Sequence, residues 1–421
     1  MNISIVTIGS RGDVQPFVAL GRRLQSRGHK VTLNTHAHFE VFIRQHGLSF
    51  HLLGGNPEKV MEKLGSDKLG ANQIKFVRAL GAWFNEFGED ALGNIRDACW
   101  NADVVITNFL GVAGLSVAEK RDIPAFFASM FPVLAPTRAY PSLTTPFTHS
   151  LGGILNTLTH RFEQLTMTVP FNRIFNKFRK GYLGLPPVSP LKFPYNSNNG
   201  KQLQVLLAYS PHLIPRPPDY QSHVHVTGYW FLDEADEWTP PPELEAFLMA
   251  DKPPVYIGFG SMIDNNADAM SRIVIRALHL CHQRGLLLGG WGHMGHVTPN
   301  EEVFVVSSAP HGWLFPKLSA VVHHGGAGTT AAGLRAGKPS ILIPFMGDQP
   351  WWGARIYENG IGPTPIPASK LNPENLAEAI HTAIHDLPMR RKAAQVGEKI
   401  RQENGLENTV DIIERMASAQ G

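Results

Sequence analysis

The junction Ala320–Thr330 restricts this chain's fold more than any other stretch, because an apolar run there meets a glycine turn and then a run of helix-favouring alanines. Ala320-Val321-Val322 is short enough to be a buried strand. Gly325-Gly326-Ala327-Gly328 is the turn, and Thr329-Thr330 opens the helix. Strand, glycine turn and helix start in that order present free backbone N–H groups and a positive helix end to an anion such as phosphate. Taken alone, the same pattern is equally that of a plain tight turn. It is not a P-loop, since Gly333 to Gly337-Lys338 has the wrong spacing and Pro339 stands where Ser or Thr should bind magnesium. A second strand pattern, Ser340 to Ile343, ends at Pro344 and is followed by Asp348-Gln349. Polar residues just past a parallel strand's carboxyl end lie where α/β proteins bind ligands. A diphosphate at the first turn and a hydroxylated group at the second describe a nucleotide-sugar.

The rest of the chain alternates in the same way, the pattern of parallel sheets covered by helices. Ile3 to Ile8 reads as a strand, GSRGDVQP as its turn, Phe17 to Arg27 as a helix and Lys30 to Asn34 as the second strand. A helical stretch, Asn72 to Trp100, precedes strands at Val104–Thr107 and Ala125–Ala128, with Val112–Lys120 helical between them. Met130 to His149 reads as loop, and Val205–Ala208 and Val224–Val226 as strands. Leu232 to Pro242, acidic and ending in three prolines, is the best linker. Beyond it the alternation restarts at Pro254. The expected organisation is residues 1–231, a linker 232–242, and residues 243–421, the last helix being able to pack back on the first domain. A length of 421 residues is comfortable for two domains.

Composition limits the function classes. Hydrophobic content of 43% with 17% charged residues describes a globular chain. Its 38 basic and 35 acidic residues are too balanced for nucleic acid to be the main partner. Cys99 and Cys281 are far apart without metal-ligand spacing and fit a reduced, cytoplasmic setting. The opening MNISIVTIGSRGD has no basic leader, and no apolar run approaches the roughly 18–20 residues that span a bilayer. The expectation is a soluble protein, or one attached at most to a membrane surface. Leu151 to Tyr182 interleaves Leu155, Leu158, Phe162, Leu165, Phe171, Ile174, Phe175 and Phe178 with Arg161, Arg173, Lys177, Arg179 and Lys180. The pattern suits a core-facing helix with its other side solvated, and that reading is preferred. It also suits a peripheral helix on an anionic membrane, or the lining of an apolar cleft.

The stretch HHGGAGTT followed at fixed distance by Asp348-Gln349, with GSRGDVQP near the start and HVTGYWFLD in the middle, resembles the family 1 glycosyltransferases. The closest resemblance is to the sterol and lipid glucosyltransferase branch, and it covers nearly the whole chain. It implies the GT-B fold: two facing Rossmann-like, doubly wound parallel-sheet α/β domains with a cleft between them. It also implies an inverting hexosyltransferase that moves glucose from UDP-glucose, a co-substrate, without a metal or bound cofactor.

On that resemblance the diphosphate would be held by His324, by the N–H groups from Gly326 through Gly328 to Thr329, and by the hydroxyls of Thr329 and Thr330. Ser261 offers a further hydroxyl, or else a helix cap. Ser308, Ala309 and His311 match the loop that holds the base. Ser308 stands where plant members stack a tryptophan, and Ala332 where they use a glutamate on the ribose, so UDP and TDP both stay open. Asp348 and Gln349 would hold sugar hydroxyls, Asp348 being equally suited to cap the following helix. The candidate base is Asp13, where plant members carry a histidine supported by an aspartate; Asn108 occupies that second position. Asp13 also suits an N-cap, with Pro16 in the helix's first turn, and capping would lower its basicity. Trp83, Met130 and Phe131 are candidates for a hydrophobic alcohol such as a sterol, a terpenoid or a polyketide aglycone. A nucleotide-sugar epimerase and a non-catalytic nucleotide-sugar binder are the alternative classes.

Overall fold

Short, almost wholly apolar runs pair as parallel strands in each half of the chain. The computed structural model describes residues 1–54, 90–191, 202–233, 238–250, 252–260, 267–289 and 300–419. They fall into two units, one of Met1–Pro211, Pro215–Leu232 and Asn404–Gly421, the other of His212–Ile214 and Asp233–Glu403. Trp83, Ser261, most of the expected helix 72–100 and residues 234–237 of the expected linker lie outside the described residues.

In the first unit β1 (Asn2–Val6), β2 (Lys30–Thr35), β3 (Ser49–Leu52), β4 (Val104–Thr107), β5 (Ala125–Ser129), β6 (Gln204–Leu207) and β7 (Val224–Val226) form one sheet. Their order is β3-β2-β1-β4-β5-β6-β7, and every pairing is parallel. Ile3 and Ile5 of β1 pair with Val104 and Ile106 of β4, all buried, as strands covered on both faces require. The chain winds outward in one direction from β1 and in the other from β4. The crevice at the carboxyl ends of these two strands is therefore the sheet's switch point, where open α/β sheets take their ligands.

The helix after β1 begins earlier than its apolar spacing predicts. α1 spans Arg11–Ser26 because Ser10 is the N-cap and Asp13, three residues on, closes a capping box. Asp13 is thus not the N-cap, and Pro16 falls in the second turn rather than the first. α1 lays Val14, Phe17 and Leu24 on the sheet, where the closing helix Gly405–Ser418 adds Val410 and Ile413 to the same core. Arg27 and Glu414 pair at 2.7 Å across these two helices.

α2 (Ala113–Arg121) and α3 (Gly153–Leu183) depart from the expected sidedness. Arg179, expected among solvated cations, is 1% exposed. It donates to both Glu119 carboxylate oxygens at 2.9 and 3.0 Å, to Ser116 Oγ at 3.0 Å and to the Pro186 carbonyl at 3.0 Å. α3 also turns inward a polar row of Asn156, His160, Glu163 and Gln164, while Leu155, Leu158, Phe162 and Leu165 face solvent. The preferred core-facing reading of its apolar stripe is thereby overturned for the first half of the helix. Three of the four are held by distant loops: Asn156 donates to the Arg138 carbonyl at 2.9 Å, His160 Nε2 meets that of Tyr140 at 3.1 Å, and Gln164 donates to that of Leu191 at 2.7 Å. Arg179→Met is expected to destabilise the fold by about 3–5 kcal/mol in chemical denaturation, because it strands a desolvated Glu119. Adding Glu119→Leu should recover most of that loss.

The second unit has β8 (Val255–Gly258), β9 (Gly285–Leu288), β10 (Val303–Val306), β11 (Ala320–His323) and β12 (Ser340–Leu342) in the order β10-β9-β8-β11-β12, all parallel. Its helices include α4 (Pro242–Met249), α5 (Ala267–Leu280), α6 (Ala327–Arg335), α7 (Gln349–Glu358), α8 (Pro373–His385) and α9 (Leu387–Arg401). Val255, Ile257, Val322 and Ile341 meet Val274 and Leu278 of α5 and Leu376 and Ile380 of α8. The switch point of this sheet lies between β8 and β11, and α6 starts there.

Candidate active site

Asp13 stands at the switch point of the first sheet, in the first turn of α1 after β1. Its Oδ2 accepts from the Ser10 N–H at 2.8 Å and from Ser10 Oγ at 2.9 Å. Oδ1 makes no hydrogen bond among the described residues and is the atom open to a proton. Gly9 has φ +146°, and a Cβ there would sit 2.3 Å from Asp13 Oδ2, so only glycine lets the carboxylate lie back on the turn. Asn108, at the end of β4, does not touch the carboxylate. Its amide donates to the Ile8 carbonyl at 2.8 Å and to Thr7 Oγ1 at 3.2 Å, and Thr7 Oγ1 donates to the Asp13 carbonyl at 2.9 Å. Asn108 therefore ties the two strand ends together and holds the turn that carries Asp13. The capping bonds lower the basicity of Asp13 as expected, but they are outweighed. The carboxyl is half-exposed at its surface but closely surrounded by protein, and this desolvation raises its pKa above the usual range despite the two Ser10 bonds.

The acceptor candidates follow β5 at the same sheet edge. Met130 packs partly buried on the core, and half-buried Phe131 is tethered by its N–H to Ser129 Oγ at 3.3 Å. The sequence also offered α3 as the lining of an apolar cleft. A narrow apolar groove is lined there by Phe109, Leu110 and Val112, directly after Asn108, and by Met167, Phe171 and Phe175 of α3. Phe171 and Phe175 were legible as one helical face. That this face meets Phe109 was not, because the two segments are far apart in the chain.

In the second unit the glycine turn is built around two histidines. His323, wholly buried, accepts the Gly325 N–H on Nδ1 at 3.1 Å, and burial holds its pKa well below the usual range. The His324 ring lies between Gly260 and Gly326. A Cβ on Gly326 would stand 2.5 Å from its Nε2, and one on Gly260 3.3 Å from its Cε1. Burial lowers the His324 pKa to about 4 despite a hydrogen bond with the Gly258 backbone, so at neutral pH the ring carries no charge. The first intrahelical bond of α6 runs from Thr330 N to the Gly326 carbonyl at 2.9 Å, leaving the N–H groups of Ala327, Gly328 and Thr329 outside the helix ladder. Nothing lies within 4 Å of where a Gly328 Cβ would be. Thr329 is half-buried on this first turn.

Thr330 needs correction. It is wholly buried, and its hydroxyl bonds back to the Gly326 carbonyl at 2.9 Å, so it braces the turn and offers nothing to a ligand. Gln349 is likewise 7% exposed, and its Oε1 accepts the N–H groups of Phe345 and Met346 at 2.8 and 3.1 Å. Its acceptor therefore shapes the loop after β12 instead of meeting a sugar. The Gln349 Cβ also bounds the glycine turn, 3.2 Å from where a Gly325 Cβ would be. Asp348 occupies the N-cap position of α7 but caps no backbone N–H. Its Oδ2 accepts from the Trp352 indole at 2.8 Å, a positioning partner the sequence reading missed. Ser308 and Ala309 follow edge strand β10, and the His311 ring stacks on Phe315 at 4.3 Å and meets Tyr256 of β8 edge-on at 5.9 Å. Among the described residues no group of three His, Cys, Asp or Glu side chains gathers as a metal site would.

Residues 3–141 match the glycosyltransferase family 28 N-terminal domain, and residues 292–416 match the erythromycin biosynthesis protein CIII-like C-terminal domain. The chain is 37% identical over 428 residues to a sterol 3-beta-glucosyltransferase of Aspergillus clavatus, covering 99% of this chain and 30% of that protein. It is 35% identical to one of Arabidopsis thaliana, covering 97% of this chain and 64% of the relative. It thus spans under a third of the fungal relative and just under two thirds of the plant one. Among solved structures, the glycotransferase of kitacinnamycin matches with a TM-score of 0.72 at 18% identity over 98% of both chains. The calicheamicin glycosyltransferase matches at 0.70 and 16%, over 98% of this chain and 97% of its own. A Streptomyces glycosyltransferase complexed with thymidine diphosphate matches at 0.62 and 17%, over 99% of both. With a parallel sheet in each unit and solved glycosyltransferases matched along nearly its whole length, the chain has the GT-B fold, and its sequence relatives include sterol 3-beta-glucosyltransferases.

Proposed function

We propose that the chain transfers glucose from UDP-glucose to a sterol hydroxyl with inversion at the anomeric carbon. The observation that carries this reading is the start of α6 at a switch point. There the N–H groups of Ala327, Gly328 and Thr329 stand outside the helix ladder beside a neutral His324, and the space over Gly328 is open. The diphosphate leaves as an anion, and these dipoles meet its charge. Asp13, with a raised pKa and an uncommitted Oδ1, takes the acceptor's hydroxyl proton as the hydroxyl oxygen attacks and the bond to UDP breaks. One displacement on an α-linked donor gives a β-glucoside. UDP-glucose is a co-substrate in this scheme, and neither a bound cofactor nor a metal is called on. The sterol acceptor is supported by the names of the relatives in Aspergillus clavatus and Arabidopsis thaliana. A peripheral membrane contact fits an acceptor that dissolves in bilayers.

A second reading, transfer to a polyketide or similar aglycone, is favoured by the erythromycin-biosynthesis match of residues 292–416. A panel of sterols and macrolactone alcohols, each offered UDP-glucose and TDP-glucose, separates the two by product mass. The expected product is a steryl glucoside made from UDP-glucose, with a β proton coupling constant. An α-glucoside would remove the single displacement, and turnover of UDP-glucose without any acceptor would point to an epimerase. Binding without transfer or hydrolysis would leave only a nucleotide-sugar binder.

A further inference from the structure

We infer that α3 is a membrane-docking helix whose outward face enters the interface of an anionic phospholipid bilayer. Ile154, Leu155, Leu158, Phe162, Leu165 and Val169 are 72, 53, 57, 58, 37 and 53% exposed. At about 100° per residue they fall within a single stripe roughly 100° wide and about 23 Å long. The opposite side is already packed, with Glu163 buried and Asn156, His160 and Gln164 anchored to the unit beneath, so the stripe is a second, uncovered apolar face.

The charges on the helix say what covers it. Glu163 is the only carboxylate among its 31 residues, and it is 1% exposed. Arg161, Arg173, Lys177 and Lys180 are all exposed, and beyond Val169 the outward face continues through Arg173 and Lys180. An apolar stripe that runs on into cations, with no exposed acid on the helix, complements a surface with an apolar interior and anionic headgroups. Two copies of this face would set cation against cation, which disfavours self-association. The helix lies in the plane of the interface, since none among the described residues is long and apolar enough to cross a membrane.

Vesicle binding is read without turnover, so the inference stands or falls apart from the proposed reaction. The full chain is sedimented with sucrose-loaded vesicles of phosphatidylcholine alone and of phosphatidylcholine with phosphatidylglycerol, at about 0.1 M salt where exposed charges are not fully screened. It should pellet with the anionic vesicles. Arg173→Ala with Lys180→Ala should weaken partition about 25-fold, some fivefold per cation. Leu158→Glu with Phe162→Glu should abolish it at an unchanged thermal midpoint. Wild-type protein staying in the supernatant, or the double glutamate variant pelleting as wild type, overturns the inference. So does a lowered midpoint in that variant, which would mean that another part of the chain covers the stripe. A dimer that becomes a monomer in that variant would assign the face to a second copy instead.

Discussion

Replacing Asp13 with Asn is expected to cut kcat for glucoside formation by about 10²–10⁴-fold, with a thermal midpoint equal to or above that of the wild type. The two halves of this result have separate physical origins. An amide cannot take the acceptor's proton, so transition-state assistance is lost. It can still accept from the Ser10 N–H and Oγ within the space that Gly9 leaves, so the capping box survives. The stability sign follows from the direction of the shift. Burial raises the folded-state pKa of Asp13 above its value in the unfolded chain, so ionising it inside the fold costs free energy. That cost is absent below the ordinary carboxylate pKa, grows as pH rises through the raised value, and is complete at neutral pH. The midpoints of wild type and Asp13→Asn should therefore converge as pH falls towards 4. The same shift places the acid limb of kcat/KM above the ordinary carboxylate range, activity falling as pH drops through it. Near-normal turnover in Asp13→Asn would remove this residue from the chemistry. A midpoint that drops together with activity would make its role structural.

The parallel fold was legible because its strands are short, apolar on both faces and separated by helix-length segments, as Val104–Thr107 and Ala320–His323 show. The glycine turn into α6 was legible because Gly325 needs φ +95° and the apolar run before it admits little but a strand. Side-chain direction was not. Helical spacing says which residues of α3 share a face, but not that Asn156, His160 and Gln164 find distant carbonyls and turn inward in place of the leucines. Thr330 reads as a phosphate donor until its hydroxyl is seen to close on the carbonyl four residues back, a bond that competes with any ligand. Gln349 has the same fate on the N–H groups of Phe345 and Met346. For Asp13 the cap, which lowers its basicity, is visible in sequence, whereas the desolvation that outweighs it comes from protein packed around it from elsewhere in the chain. The switch points, with Asp13 after β1 in one sheet and Gly326 after β11 in the other, follow from strand order, and alternation alone does not give that order.

Gly326→Ala is expected to weaken UDP binding by about two orders of magnitude or more while costing the fold no more than about 1 kcal/mol. The backbone tolerates the change, since Gly326 has φ −61° and ψ 141°, which alanine adopts freely. The obstacle is the side chain itself. Its methyl would stand 2.5 Å from His324 Nε2, so the imidazole must swing off the turn or the turn must open. Either movement removes the His324 donor and sets a methyl over the N–H groups that begin α6. Hydrogen bonds to a charged group are worth about 1.5–3 kcal/mol each, so losing two of them accounts for the expected factor. A double-mutant cycle identifies the cause. If the clash with the ring does the damage, Gly326→Ala should cost far less in a His324→Ala background, where no ring is displaced. If the methyl itself covers the amides, the two losses should add. Calorimetric titration of UDP into the four proteins reads both terms. Wild-type affinity in Gly326→Ala would mean that the diphosphate is not held at this helix start.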